Sequence, residues 1–296
     1  MRTNRRLRWA AIPIAATLAI VLAGCTSTEL HGFLPGFEDA GAPAVTNHTD
    51  RVAGLWTTSW IVLLVVGIIT WGLILWAVVV YRRRKGQTGL PVQLRYHMPI
   101  EIFYTVVPLI LVLGFFSFTA RDQAAIEARF DDPDVKIQVM AKQWAWDFNY
   151  VNENVYSSSI QVQPKTGGEP GSRVEEDLPT LVLPVGKKIE FALDSRDVVH
   201  SFWIIDFLYK KDVIPGKTNY MSVIPERIGT YAGKCTEFCG EYHSLMLFNV
   251  KVVSPEDYAA YIDTLRAQGN VGQLDKNYDR NQNLPGIQRP ASEEGK

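Results

Sequence analysis

The sequence predicts a two-helix transmembrane hairpin followed by an all-β domain outside the cytoplasm, and three observations predict it. Two long apolar runs, 55–81 and 100–120, flank a strongly basic connection. Beyond about residue 131 the pattern changes to short β-branched and aromatic stretches broken by Pro and Gly, which suits a small antiparallel sandwich or barrel. Between two of those stretches lies Cys235-Thr-Glu-Phe-Cys239-Gly-Glu-Tyr-His243-Ser-Leu-Met246, a concentration of soft metal ligands.

The chain has 296 residues, room for one or two domains, and a formal charge of −1, which gives no bulk case for nucleic-acid binding. Its first segment carries Arg2, Arg5, Arg6 and Arg8, then an apolar run from Ala10 to Leu22, then Ala23-Gly24-Cys25. That order is expected of a secretory signal peptide over 1–24 with a small-residue cleavage site. A Cys just past the cut resembles the lipobox of bacterial lipoproteins and makes Cys25 the candidate lipidation site; the alternative is a plain signal with an incidental Cys. Residues 25–54, rich in Gly, Pro, Thr and Ala, read as an extended extracytoplasmic arm.

The run from Leu55 to Tyr81 is long enough to cross a bilayer, with Trp56, Trp60 and Trp76 near its ends as interfacial anchors. Tyr81-Arg82-Arg83-Arg84-Lys85 follows, so this loop is expected on the cytoplasmic side. The second span, 100–120, contains Pro108 and should kink there. A buried core hairpin is the alternative, and two spans of this length with a basic connection argue against it.

The β domain is expected over 131–254, with strands in Val135–Tyr150, Leu181–Leu193, Ser201–Phe207, Lys217–Ile224, Gly229–Lys234 and Leu245–Val253. Residues 151–178, rich in Ser, Gly, Pro and Glu, read as an inserted loop. Ser254 followed by Pro255 marks a helix start, with Ser as N-cap and Pro at the first position. The helix should run to about Ala267, and a polar tail completes the segment 255–296.

Two thiols, an imidazole and a thioether in one loop, with His200 some 35 residues upstream, select copper among the available metals. Cys235 and Cys239 can bridge two ions as thiolates, His200 and His243 can each terminate one, and Met246 suits a weak axial position. The Glu237 carbonyl, between the cysteines, is a candidate for the other axial place. A disulfide between Cys235 and Cys239 is one alternative, and it leaves His200, His243 and Met246 unexplained. Structural zinc is another, because two Cys and two His form a tetrahedral site, but it leaves Met246 unused.

His200-Ser-Phe-Trp, Ile214-Pro-Gly216 and the Cys235-to-Met246 loop together resemble subunit 2 of the haem-copper cytochrome c oxidases, over roughly residues 55–255. The resemblance implies a cupredoxin-like Greek-key domain carrying a dinuclear copper centre, CuA. Its ligands would be His200, Cys235, the Glu237 carbonyl, Cys239, His243 and Met246. It implies electron transfer from cytochrome c to haem in subunit 1, where oxygen is reduced to water with proton pumping. The haem would reside in the partner only. A magnesium ion shared with subunit 1 would take the Glu237 side chain, since carboxylate oxygen suits magnesium.

In Gln143-Trp144-Ala145-Trp146-Asp147-Phe148-Asn149-Tyr150, period two puts the aromatic residues on one face of a strand, which by itself suits a core. The resemblance makes Trp144 the surface electron-entry residue, although Ala145 departs from the family's usual Tyr. It also makes Asp197 an acidic docking position beside Arg196, and Glu101 the entrance of a proton path; Tyr104 replaces the family's usual Trp. Implied partners are oxidase subunits 1 and 3, membrane lipid and cytochrome c, the last tethered or within a supercomplex given the mixed charge near Asp197 and the 151–178 insertion. A copper-delivery protein and a quinol-oxidase-type structural subunit are the alternatives; the second lacks the copper ligands. Nitrous-oxide reductase has a similar copper site, but the hairpin and the lack of a large catalytic domain disfavour it.

Overall fold

The computed structural model describes residues 44–90, 93–162 and 178–278. The expected signal peptide, Cys25, most of the arm, most of the 151–178 insertion and the end of the tail lie outside these residues.

Two apolar helices open the described chain, α1 (Thr49–Val80) and α2 (Met98–Glu127). Each buries a single residue, Thr49 in α1 and Asp122 in α2, so apolar side chains face outward on every side. That surface suits lipid rather than a protein core. Both helices outrun the apolar stretches, because polar residues at their outer ends have partners there. At about 1.5 Å per residue, 30 or 32 residues exceed the roughly 30 Å hydrocarbon thickness, so the ends project past it. Arg51 of α1 donates to Asp122 of α2 at 2.9 Å, and Arg121 to the same carboxylate at 3.2 Å, pinning the projecting ends together. The inner end of α2 is capped by His97, whose ring accepts from Ile100 N, and Pro108 lies inside the helix.

The β domain packs two five-stranded sheets face to face. The first contains β1 (Val135–Lys142), β2 (Ala145–Tyr150), β3 (Val155–Ser157), β5 (Ile189–Ser195) and β8 (Asn219–Val223), in the order β3-β2-β1-β5-β8. The second contains β4 (Thr180–Pro184), β6 (His200–Ile204), β7 (Tyr209–Val213), β9 (Gly229–Cys235) and β10 (Leu247–Val253), in the order β4-β10-β9-β6-β7. This is the all-β, cupredoxin-like sandwich that was expected, with one correction: the sheets are mixed rather than antiparallel. β1 runs parallel to β5 and β4 parallel to β10. Local turn signals cannot reveal such pairs, because their strands are far apart in sequence.

Two stretches that read as single strands are each two. Val135–Tyr150 folds back between β1 and β2, and Leu181–Leu193 turns at Gly186, sending β4 and β5 to different sheets. Aromatic rings fill the space between the sheets: Phe202 stacks on Phe248 at 5.0 Å, and Trp146 meets both edge-on at 5.6 and 5.3 Å. The ring of Phe248 lies directly over Gly233, where a Cβ would come within 2.2 Å of it. A C-terminal helix, α3 (Pro255–Ala267), starts with Ser254 accepting from Asp257 N at 3.1 Å. It buries Tyr258, Ile262 and Leu265, one face of the helix, against the domain.

The hairpin is tied to the domain on both sides. Before α1, Asn47 N donates to Ile224 O at 3.1 Å, Ile224 N returns a bond to the Asn47 side chain at 2.8 Å, and His48 Nε2 bonds Ser222 O at 3.0 Å. After α2, Arg129 makes a two-pronged pair with Glu190 at 2.9 Å and stacks on Tyr220. Both connections hold the sandwich against the outer ends of the helices.

Candidate metal centre

The ligand loop is the connection of the β9–β10 hairpin. Cys235 ends β9, Met246 precedes β10, and Cys235 N donates to Met246 O at 3.0 Å, closing the neck of the loop. β6 lies antiparallel against β9, with Phe202 opposite Cys235, so His200 at the start of β6 reaches the same end of the sheet. The one-turn 3-10 helix His243–Leu245 turns His243 back toward Cys239.

The side chains form a continuous chain of soft atoms. His200 Nδ1 is 3.8 Å from Cys235 Sγ, which is 3.8 Å from Cys239 Sγ. Cys239 Sγ is in turn 3.3 Å from His243 Nδ1 and 3.8 Å from Met246 Sδ. The Glu237 carbonyl is 3.3 Å from Cys235 Sγ. Both thiols are free, so the disulfide alternative is not formed. Sulfurs 3.8 Å apart, each about 2.3 Å from one ion, would subtend close to a tetrahedral angle, so the donor set fits a thiolate-bridged metal. The His200, Cys235 and Cys239 ligand atoms lie within 4.8 Å of one another, and His243 and Met246 extend the set on the far side of Cys239.

The surroundings orient these donors. His200 is fully buried and its Nε2 bonds Asp197 Oδ1 at 2.7 Å, leaving Nδ1 directed at Cys235. Burial opposes the charged imidazole, but the Asp197 hydrogen bond and Cys235 outweigh it and raise the His200 pKa. Asp197 also accepts from Gln143 N at 2.6 Å and Val198 N at 2.7 Å; burial opposes its charge, yet these bonds hold its carboxyl below the usual range. The hydrogen bond from Cys239, helped by His200, holds the Cys235 thiol well below the ordinary range, while Cys235 pushes Cys239 up.

The Cys239 carbonyl accepts from Gln143 Nε2 at 2.8 Å and from Trp144 Nε1 at 3.1 Å. Gly240 makes that approach possible: its φ of +121° is left-handed, and a Cβ would meet the Gln143 and Trp144 side chains at 3.1 Å.

The remaining expected site residues are spread more widely. Trp144 is not on the surface: it is only 6% exposed and lies beneath Tyr242, whose ring is 4.9 Å away and edge-on. Trp146, Phe148 and Tyr150 face the core as the period-two reading required. Asp197 is a correction. Its carboxylate turns inward to His200 instead of outward as a docking charge, because three hydrogen-bond donors converge on it. The Glu237 side chain is exposed. Glu101 stands in the first turn of α2, away from the cluster, and accepts from His97 N at 2.8 Å. Sequence reasoning missed Gln143 and Tyr242, and the inward role of Asp197; an acid three residues before a ligand His was the available signal.

The site is a thiol, imidazole and thioether cluster that could hold a metal ion, at one end of a β-sandwich that follows two helices long and apolar enough to cross a bilayer. The model of the family described as cytochrome C oxidase subunit II, periplasmic domain, matches residues 135–253. A Streptomyces avermitilis protein named "Probable cytochrome c oxidase subunit 2" is 43% identical over 289 residues, covering 88% of each chain. Cytochrome c oxidase subunit 2 of Mycobacterium bovis is 34% identical over 305 residues, covering 88% of this chain and 82% of that one. The solved periplasmic domain of subunit II of cytochrome oxidase from Bradyrhizobium japonicum aligns at 26% identity with a TM-score of 0.40, over 46% of this chain and 96% of that one. The chain belongs to the cytochrome c oxidase subunit 2 family.

Proposed function

We propose that the chain is the electron-transfer subunit of a cytochrome c oxidase, carrying a dinuclear copper centre. The observation that carries this reading is the unbroken series His200, Cys235, Cys239, His243 and Met246, with free thiols and successive donor distances of 3.3 to 3.8 Å. Cys235 and Cys239 would bridge the two ions, His200 and His243 would each terminate one, and Met246 and the Glu237 carbonyl would occupy the weak positions. Copper in such a set supplies reversible one-electron chemistry. The chain's own contribution is rigidity. The end of β9 fixes Cys235, Gln143 and Trp144 hold the backbone of Cys239, Asp197 fixes the imidazole of His200, and burial of Cys235, Cys239, His200 and Met246 excludes water.

Electrons would arrive from cytochrome c through Trp144 and pass to haem and the haem-copper centre of subunit 1, coupled to proton pumping. The exposed Glu237 carboxylate would reach a magnesium ion shared with subunit 1, and Glu101 would stand at a proton-path entrance. Oxidase subunits 1 and 3 are the partners in this reading. The chain would be a multi-pass protein of a bacterial cell membrane, processed after Gly24 and lipidated at Cys25, with arm 25–54, spans 55–81 and 100–120, copper domain 131–254 and C-terminal segment 255–296. Zinc is the weaker reading, since it leaves Met246 buried beside Cys239 without a role.

Electron paramagnetic resonance of the full-length, copper-reconstituted chain in detergent tests the reading. One unpaired electron shared by two equivalent coppers is expected, and Cys239→Ser should abolish that signal by removing one bridge. A mononuclear signal in the unmodified chain, or preferential zinc uptake, would overturn it. The inward-facing Asp197 also favours a tethered or complex-bound donor, because it removes a steering charge from the surface. The rate of reduction by that donor should accordingly depend weakly on salt; a steep fall in stopped-flow traces as salt rises would argue for a freely diffusing donor.

A further inference from the structure

We propose that Tyr242 is the outer ring of the electron path into the thiolate cluster, with Trp144 as its inner ring; this rests on the electron-transfer function proposed above. Trp144 is sealed from solvent at 6% exposure, so a docked partner cannot touch most of its ring. Tyr242, at 36% exposure, covers it edge-on with centroids 4.9 Å apart. From Trp144 the route is bonded or hydrogen-bonded throughout. Its Nε1–H donates to the Cys239 carbonyl at 3.1 Å, and the sulfur belongs to that same residue. Gly240 has no side chain to wedge between the Trp144 ring and the loop.

A second exposed aromatic residue, Phe238, lies 5.4 Å from the His243 ring. At 84% exposure little holds it in place, whereas Tyr242, at 36%, is packed edge-on against Trp144, and transfer favours groups held in one geometry. One electron leaves a reduced c-type haem protein, which is oxidised, and arrives on the oxidised copper pair, which is reduced. No bond forms or breaks and no proton moves, and the two rings only mediate tunnelling.

The test uses the full-length, copper-loaded chain in detergent with reduced soluble cytochrome c as the probe. Tyr242→Leu should slow electron entry about tenfold, less than the roughly hundredfold that a 1 Å misplacement can cost. Tyr242→Phe should restore the rate and Phe238→Leu should not change it. The copper spectrum, and calorimetric binding of oxidised cytochrome c to the copper-free chain, should be the same in all forms. An unchanged rate in Tyr242→Leu with an intact copper spectrum overturns the proposal and leaves the proposed function standing. A rate loss matched by equally weakened cytochrome binding makes Tyr242 a docking contact and also overturns it. Absence of the shared-electron signal in the unmodified chain overturns both.

Discussion

Asp197 illustrates how much one residue's direction matters. At the surface it would be one charge among many; turned inward, it accepts from His200 Nε2 and two backbone amides and fixes which imidazole nitrogen meets Cys235. Asp197→Asn keeps the shape but removes the charge. Copper affinity, measured by chelator competition on the full-length chain, should fall about 10- to 100-fold, the usual effect of losing a ligand's hydrogen-bond partner. Unchanged affinity would show that Asp197 does not support His200. The ligands themselves were legible as residue types at loop spacing. The direction of Asp197 was not, because it depends on Gln143, which lies in the β1–β2 turn, 54 residues earlier in the chain.

At the scale of elements, the β1–β2 hairpin carries a buried charge cluster that no pattern announced. Lys142 Nζ lies 3.1 Å from Asp147, Arg196 pairs with the same carboxylate, and Ser158 Oγ and Ser159 N satisfy its other oxygen at 2.8 and 3.1 Å. All three charged residues are buried. Asp147→Ala would remove the buried carboxylate that Lys142 and Arg196 share and should cost ~3–5 kcal/mol in denaturant unfolding of the detergent-solubilised chain. Asp212→Ala, at the exposed pair with Lys210, should cost less than about 1 kcal/mol. Equal effects would mean that burial does not govern the cluster. Alternation made the aromatic face of β2 legible. It could not show that Lys142, opposite Ala145 on the neighbouring strand, is buried with its ammonium against Asp147, since charged residues in a strand ordinarily face water.

Across the whole molecule, His48 is part of the tie between the membrane hairpin and the sandwich. It bonds Ser222 O, packs edge-on against Tyr209 and lies near Arg51. Burial, aided by Arg51 and only partly offset by the Ser222 bond, lowers its pKa. The unfolded chain therefore binds the proton more readily, and stability rises with pH in this window. The contribution is complete above the ordinary value of about 6.5 and is lost as pH falls through the lower folded-state value. Thermal unfolding of the full-length chain near pH 7.5 and near pH 5 should show acid destabilisation that His48→Gln reduces. An identical pH dependence in both proteins would remove His48 from that role.

The sequence by itself determined the apolar helices, the all-β character of the domain beyond them, the Ser254-Pro255 helix start and the set of soft ligands. Each of these is local, encoded in periodicity, capping or spacing along a few residues. Only the tertiary structure decided that β4 and β5 part to opposite sheets, that β1 and β5 run parallel, and that Trp144 lies under Tyr242. It alone turned Asp197 toward His200 and the cysteine cluster. These outcomes arise from contacts between distant segments, where burial and hydrogen-bond satisfaction set each side chain's direction. The ligand loop could be read because its donors are neighbours in the chain; its environment had to be assembled by the fold.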